Sequence, residues 1–115
     1  MKLIYSILIS CLLFACSKVD QETVAMLQDK ETIIIDVRSE EEYREGNIKR
    51  AINIPHDKIL KYIEQYADGK DYPIVVYCRS GNRAGQALDA LTKAGYSNVR
   101  NAGGLDDIKQ YFDKE

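Results

Sequence analysis

A cysteine followed by small and basic residues is the part of this sequence best suited to chemistry. The run starts directly after an apolar stretch and consists of Cys78, Arg79, Ser80, Gly81, Asn82 and Arg83. Only the thiolate form of cysteine is a nucleophile, and nearby cations or a helix N-terminus favour that form. A loop that wraps into a helix start also points backbone N–H groups inward, where they bind anions. We therefore expect Cys78 to be a nucleophile inside an anion-binding loop.

The other residues of the run fit the same interpretation. Gly81 permits the backbone angles that a tight wrap needs. Arg79 and Arg83 add fixed positive charge that attracts a small dianion. We expect residues 79–83 to bind the substrate around Cys78.

Short β-branched runs alternate with amphipathic stretches along the chain. Strands are predicted at residues 32–37, 51–54, 73–77 and around Val99, and helices at 23–27, 40–45, 56–66, 82–94 and 105–112. Ser39 and Glu42 form a capping-box pattern at the start of the second helix. The alternation predicts an α/β fold, a doubly wound and mainly parallel sheet of about four or five strands with helices on both faces. Ligands of such sheets bind beyond the carboxyl ends of the strands, where chain order places Cys78.

The N-terminus has the pattern of an export signal. Lys2 precedes a short apolar run that is followed by small residues, and residues 13–16 resemble the lipobox of bacterial lipoproteins. We expect a signal peptide at 1–15, a lipid on Cys16, a tether at 16–21 and one domain at 22–115. The protein is then exported and anchored to a membrane on the periplasmic or cell-surface side. The alternatives are a soluble periplasmic protein and an uncleaved anchor.

The cysteines and the net charge indicate which thiol is free to react and which class of partner is excluded. Cys11 lies in the predicted signal and Cys16 is predicted to carry lipid, so Cys78 is the one free thiol of the predicted mature protein. The formal net charge of -2 provides no broad basic surface, which argues against nucleic acid as a partner.

The run at 78–83 resembles the active-site loop of single-domain rhodaneses. Two other regions resemble further signatures of that family, an upstream one at Ile35, Asp36, Val37, Arg38, Glu42, Tyr43, Gly46, Ile48, Ala51, Asn53, Ile54 and Pro55, and a C-terminal one at Ala94, Gly95, Tyr96, Asn98, Val99, Gly103 and Gly104. Asn47 and Arg50 depart from the family pattern, which usually has His and Gly there, and we interpret both changes as drift. The resemblance covers nearly all of the predicted mature chain and implies a rhodanese-like fold.

The resemblance also implies a reaction. Cys78 attacks the outer sulfur of thiosulfate or of a persulfide donor, carries it as a persulfide, and passes it to a thiol or to cyanide. The enzyme is then a thiosulfate sulfurtransferase whose partners are a small sulfur-containing anion or a protein persulfide. The reaction requires no metal and no organic cofactor.

Several alternatives remain open at the level of sequence. Cys-dependent phosphatases of similar architecture have five residues between Cys and Arg, whereas four separate Cys78 from Arg83, which favours sulfur over phosphate. A sulfur carrier without turnover, a partner-binding module and a redox sensor are further possibilities. We expect Asp36 and Arg38 to fix the strand end near the site by ion pairing rather than to take part in catalysis.

Overall fold

The structure is a computed structural model that describes residues 19–112, so the predicted signal peptide and the lipid site at Cys16 lie outside the described residues. The helices and strands in chain order are α1 (Gln21–Gln28), β1 (Ile33–Asp36), α2 (Glu40–Glu45), β2 (Ile52–Asn53), α3 (Ile59–Tyr62), β3 (Ile74–Cys78), α4 (Asn82–Lys93), β4 (Val99–Gly104) and α5 (Leu105–Ile108). Short 3₁₀ turns flank α3 and follow α5. The strand–helix alternation predicted from the sequence is confirmed.

The described residues form a four-stranded sheet in the order β2-β1-β3-β4, with every neighbouring pair parallel. β1 and β3 occupy the centre, and apart from the half-buried Ile33 their β-branched residues are buried, as expected for a parallel sheet covered by helices. The pairing of β3 with β4 shifts between Val76, which faces Asn101, and Cys78, which faces Gly104. This bulge places one extra residue of β4 beside the end of β3.

Strand alternation divides the core into two layers. Ile35, Val76 and Cys78 face one layer, which α3 and α4 cover with residues such as Ile59 and Leu91. The opposite layer is built from residues of β1, β3, β4, α1, α5 and a connecting loop: Ile34, Val75, Tyr77, Ala102, Leu27, Ile108 and Ile48. Helices therefore lie on both faces, as predicted.

The start of the folded region differs from the expected boundary at residue 22. Val19 is 7% exposed and packs into the layer that contains Leu27. Asp20 caps α1 by accepting a hydrogen bond from the backbone N–H of Thr23 at 2.7 Å. Residues 19–21 therefore belong to the domain and not to a tether, because burial and capping hold them in place.

The predicted helix at 56–66 is instead three short pieces. The backbone turns at Lys58 and Tyr62, both with φ near −113°, so that 3₁₀ turns precede and follow α3. Ile59 and Ile63 are still buried on one face, because the N–H of Ile63 bonds to the carbonyl of Ile59 as in an α-helix, where residues four apart lie on one side. Among the helices of residues 19–112, none combines the length and apolar character that crossing a bilayer requires.

Arg50 has a structural role that the interpretation as drift did not anticipate. Its guanidinium donates hydrogen bonds to the carbonyl oxygens of Leu27, Asp29 and Thr32 at 2.8, 3.0 and 3.1 Å. These carbonyls lie at the end of α1 and the start of β1, where helix carbonyls lack partners within the helix. Asn47 similarly donates to the carbonyl of Tyr43 and closes the end of α2.

Candidate active site

Cys78 is the last residue of β3 and has no solvent-exposed surface. Its side chain points to the layer covered by α4, whereas Tyr77 points to the other. The Sγ atom accepts hydrogen bonds from the backbone N–H groups of Gly81 and Ala84 at 2.9 and 3.4 Å. Two donors on one sulfur, at the N-terminus of a 12-residue helix, stabilise negative charge on that atom.

Gly81 allows the loop to turn back over the cysteine. Its φ of 99° lies in the left-handed region, which residues with a Cβ rarely adopt. The carbonyl of Gly81 then begins α4 by accepting from the N–H of Gly85 at 2.9 Å. The same carbonyl accepts from the side-chain amide of Asn101 at 3.0 Å, which fastens the loop to β4.

A glycine pair at the end of β4 lets the chain approach the loop closely. A Cβ atom on Gly104 would lie 2.0 Å from the carbonyl oxygen of Arg79, so no larger residue fits without a backbone shift. Gly103 has a φ of 88°, and its N–H is bonded to the side chain of Asn101 at 2.8 Å. Asp107 accepts from the N–H of Gly104 at 3.0 Å and fixes the start of α5. β4 therefore supports the outer side of the loop.

Glu42 connects α2 to both arginines of the loop. Its carboxylate accepts two hydrogen bonds from Arg83, at 2.6 and 3.1 Å, and one from Nε of Arg79 at 3.2 Å. The Arg83 guanidinium is the main cause that holds the pKa of Glu42 far below its usual range, and Glu42 in turn raises the pKa of Arg83. The two positive charges expected beside Cys78 are thus partly neutralised by one negative charge.

Asp36 and Arg38 form a buried ion pair at the end of β1, with 0% and 4% of the side chains exposed. The carboxylate accepts from the backbone N–H, Nε and Nη2 of Arg38, and these bonds raise the pKa of the guanidinium. Arg38 also donates to the carbonyl of Gly46 at 2.5 Å, which ties the end of α2 to the strand. The pair shapes the loops around the site, and Arg38 lines one groove with Glu42 and Arg79.

Tyr77 stabilises the side of the sheet away from Cys78. Its hydroxyl accepts from the N–H of Ile48 at 3.3 Å, and burial, with help from Asp36, raises the pKa of the phenol well above its usual value. The hydroxyl is therefore neutral at any physiological pH and serves packing.

The remaining residues of the loop are at the surface. Ser80 is exposed and lines a cavity of about 330 Å³ together with Gly81, Asn101 and Gly103. Asn82 is exposed, and its side chain accepts a hydrogen bond from Gln86 one helical turn later at 3.1 Å. Of the five residues expected to bind substrate, Gly81 contacts the sulfur directly, Arg79 and Arg83 converge on Glu42, and the side chains of Ser80 and Asn82 lie further out.

The sequence did not predict how three residues contact the loop. Glu42 was expected in a capping box with Ser39, which accounts for its bonds to Ser39 but not for those to the two arginines. Asn101 carried no signal, because a single polar residue in a short strand predicts nothing specific. Gly104 was named only within the C-terminal family signature, although a glycine pair at a strand end also indicates close backbone approach.

The arrangement suits covalent catalysis by sulfur. A buried thiol with two N–H donors on Sγ and cations at its rim can form and hold a sulfur anion away from water. Within residues 19–112, no cluster of three or more His, Cys, Asp and Glu side chains is placed to hold a metal ion.

Comparison with known proteins places the chain in a family. The rhodanese-like domain model matches residues 19–111. Thiosulfate sulfurtransferase PspE of Escherichia coli is 42% identical over 74 residues, which is 64% of this chain and 71% of that protein. A tRNA uridine(34) hydroxylase of Enterobacter is 33% identical over 82 residues, 68% of this chain but only 24% of the hydroxylase. A solved rhodanese with anions from E. coli has a TM-score of 0.65 at 40% identity and covers 67% of this chain and 91% of its own. The chain belongs to the rhodanese-like domain family.

Proposed function

We propose that this protein is a sulfurtransferase of the thiosulfate type in which Cys78 carries the transferred sulfur as a persulfide. The observation that carries the proposal is the coordination of Sγ by the N–H groups of Gly81 and Ala84 inside a closed loop. Such donors stabilise the attacking thiolate and the persulfide anion that replaces it. Membership of the rhodanese-like family and the similarity to PspE support the same reaction.

The first half-reaction transfers sulfur to the enzyme. The Cys78 thiolate attacks the outer sulfur of thiosulfate and forms a new S–S bond. The original S–S bond of the donor breaks, and its electron pair leaves with sulfite. The total charge of −3 is the same on both sides, because a thiolate and a dianion become a persulfide anion and a sulfite dianion. No proton has to move.

The second half-reaction regenerates the thiolate. Cyanide or a thiolate acceptor attacks the terminal sulfur of the persulfide, and the electron pair of the broken S–S bond returns to Sγ of Cys78. The products are thiocyanate or a new persulfide. The two steps form a ping-pong cycle in which the loop binds first the donor and then the acceptor.

A sulfur carrier that works with a partner protein is the second candidate. The Enterobacter hydroxylase contains a region similar to this chain that makes up 24% of its own length. A domain used in that way passes sulfur to, or docks on, another domain. Thiosulfate turnover then is slow, whereas Cys78 takes sulfur readily from a protein persulfide.

Redox sensing is a candidate that burial does not separate from sulfur transfer. Cys78 has 0% of its surface exposed, so a peroxide and a sulfur donor must both enter the loop to reach Sγ. Stoichiometric sulfenate on Cys78 without sulfur transfer is the result that supports this function.

We propose for the N-terminal region a signal peptide at 1–15, cleavage before Cys16 and a lipid on Cys16 that anchors the domain outside the cytoplasm. The support is the pattern of residues 2–16, and a soluble exported form is the alternative. The tether is residues 16–18, because Val19 is already part of the core.

Intact-mass measurement of the full chain, isolated with detergent, tests these proposals together. After incubation with thiosulfate we expect one added sulfur atom, absent from the Cys78→Ser variant, and release of thiocyanate on addition of cyanide. The mass before incubation reports cleavage and lipid on Cys16. A wild-type chain that gains no sulfur from thiosulfate or from any persulfide donor refutes the function.

A further inference from the structure

One carboxylate, that of Glu42, is shared by the two cations next to the nucleophile. It reaches them from α2, which follows a different strand, and its side chain is 19% exposed. Ser39 adds two further bonds, because its backbone N–H and hydroxyl both donate to Oε1 of Glu42. Glu42 is therefore held in place by its own helix start as well as by the loop.

The two arginines are bound unequally. Arg83 makes a two-pronged contact of 2.6 and 3.1 Å and is 29% exposed, whereas Arg79 makes a single contact of 3.2 Å and is 66% exposed. An exposed ion pair with a single contact contributes little interaction free energy, and a two-pronged guanidinium–carboxylate pair contributes more. Arg79 is thus the cation that can exchange Glu42 for another anion at low cost.

A groove of about 420 Å³ adjoins this exchangeable cation. The charged residues that line it are Arg38, Arg79, Lys109, Glu42 and Glu45. Arg38 is already paired with Asp36, and Lys109 with Asp106. An anion that enters the groove therefore competes with Glu42 for Arg79. Glu42 is the carboxylate that contacts Arg79 directly.

We propose that Glu42 is a specificity-determining residue that competes with the donor for Arg79 and thereby selects donors by the negative charge next to their sulfane sulfur. The proposal rests on the sulfurtransferase function above and adds a substrate preference to it. A donor with two negative charges meets more repulsion from Glu42 than a donor with one. Compared with a site whose two arginines have no acidic partner, this site therefore favours singly charged donors, such as the persulfide of a small thiol.

Two donors of similar size isolate the effect of charge. Thiosulfate is a dianion, and methanethiosulfonate has a methyl group in place of one oxygen and a single negative charge. Both deliver their outer sulfur to a thiolate and release a sulfur oxyanion, sulfite or methanesulfinate. A difference between them in KM thus reports the charge that the site tolerates.

The variant Glu42→Gln removes the charge and keeps the shape. The Gln carbonyl still accepts from the N–H of Ser39 and from Arg83, because Gln also serves in a capping box. We expect KM for thiosulfate to fall roughly tenfold and KM for methanethiosulfonate roughly twofold, with kcat changed by less than about twofold. Glu41→Gln is the matched control, since Glu41 is exposed on the same helix, and it should leave both KM values unchanged.

The Arg79→Gln variant separates competition for Arg79 from any other effect of Glu42→Gln on KM. In Arg79→Gln, the cation over which Glu42 and the donor compete is gone, so adding Glu42→Gln should change the ratio of the two KM values by less than about twofold. Thermal unfolding of each variant shows whether the fold is intact.

The inference is overturned if Glu42→Gln shifts both donors equally, if Glu41→Gln gives the same ratio, or if the shift persists without Arg79. An equal loss of kcat with both donors means that the role of Glu42 is purely structural, and this result also overturns the inference. These outcomes are separate from failure of the proposed function, which is absence of sulfur on Cys78 in the wild-type chain.

Discussion

The contact between Gly104 and the carbonyl of Arg79 makes a strong test of how β4 supports the loop. In Gly104→Ala the new Cβ would lie 2.0 Å from that oxygen and 2.8 Å from its carbon, and separations below 3.0 Å do not occur for real Cβ atoms. Both neighbours are backbone atoms, so no side chain can turn away. The loop or the strand must move by about 1 Å, the difference between 3.0 and 2.0 Å.

That displacement has two expected consequences. Overpacking of this kind costs on the order of 1–3 kcal/mol, and in a domain of this size each kcal/mol lowers the melting temperature by roughly 4–8 °C. A misplacement of about 1 Å at reacting groups costs up to roughly a hundredfold in rate. We therefore expect a lower melting temperature and a fall of roughly ten- to a hundredfold in kcat/KM for thiosulfate.

Gly46→Ala is the matched control for this prediction. A Cβ on Gly46 meets nothing within 4 Å, and its φ of 167° is extended backbone open to any residue. Stability should change by less than about 0.5 kcal/mol, and thiocyanate production should match wild type. Wild-type turnover and melting temperature in Gly104→Ala would refute the claim that the glycine pair positions the loop.

Three further predictions follow from the side-chain contacts. Asn101→Ala removes the bonds to Gly81 and Gly103 and should cost about 1–2 kcal/mol in urea unfolding, with a lower kcat; unchanged kcat would show that the loop holds its shape without β4. Arg50→Ala removes three hydrogen bonds to the carbonyls of Leu27, Asp29 and Thr32 and should cost about 1–2 kcal/mol with kcat unchanged. Equal stability would contradict the capping role. Because Arg83 lowers the pKa of Glu42, the stability from this carboxylate is complete above the usual Glu range and is lost as pH falls towards the lowered pKa. Wild type should thus lose more unfolding free energy between pH 5 and pH 2 than Glu42→Gln, and identical pH profiles would refute the assignment.

Local patterns were enough to predict the strand–helix alternation and the position of the nucleophile. The short, β-branched run at 73–77 predicted a buried strand, and the residues after it predicted a loop into a helix. The capping box of Ser39 and Glu42 predicted the start of α2 at the correct residue. Such features depend on residues within a few positions of one another, and their physics is visible in the chain itself.

Secondary structure was predicted less accurately from the sequence where tertiary packing determines the backbone conformation. The 56–66 segment has a helical pattern of apolar residues, but its turns tightened to 3₁₀ at both ends of α3. β4 extends to Gly104 although its polar and glycine residues lack a strand pattern, because pairing with β3 holds it in place. Sheet pairing of this kind overrides weak local preference.

The sequence by itself determined that Cys78 ends a buried strand, that basic residues and a glycine follow it, and that the fold is a parallel α/β sheet. Only the tertiary structure decided which charges surround Cys78 and how far its sulfur is exposed to solvent. Glu42 lies 41 residues from Arg83, and Gly104 approaches a carbonyl in a loop 25 residues earlier, so neither contact leaves a trace in local spacing. The burial of Cys78 has the same origin, because parallel strands bring distant segments to one edge of the sheet and close them around a single sulfur.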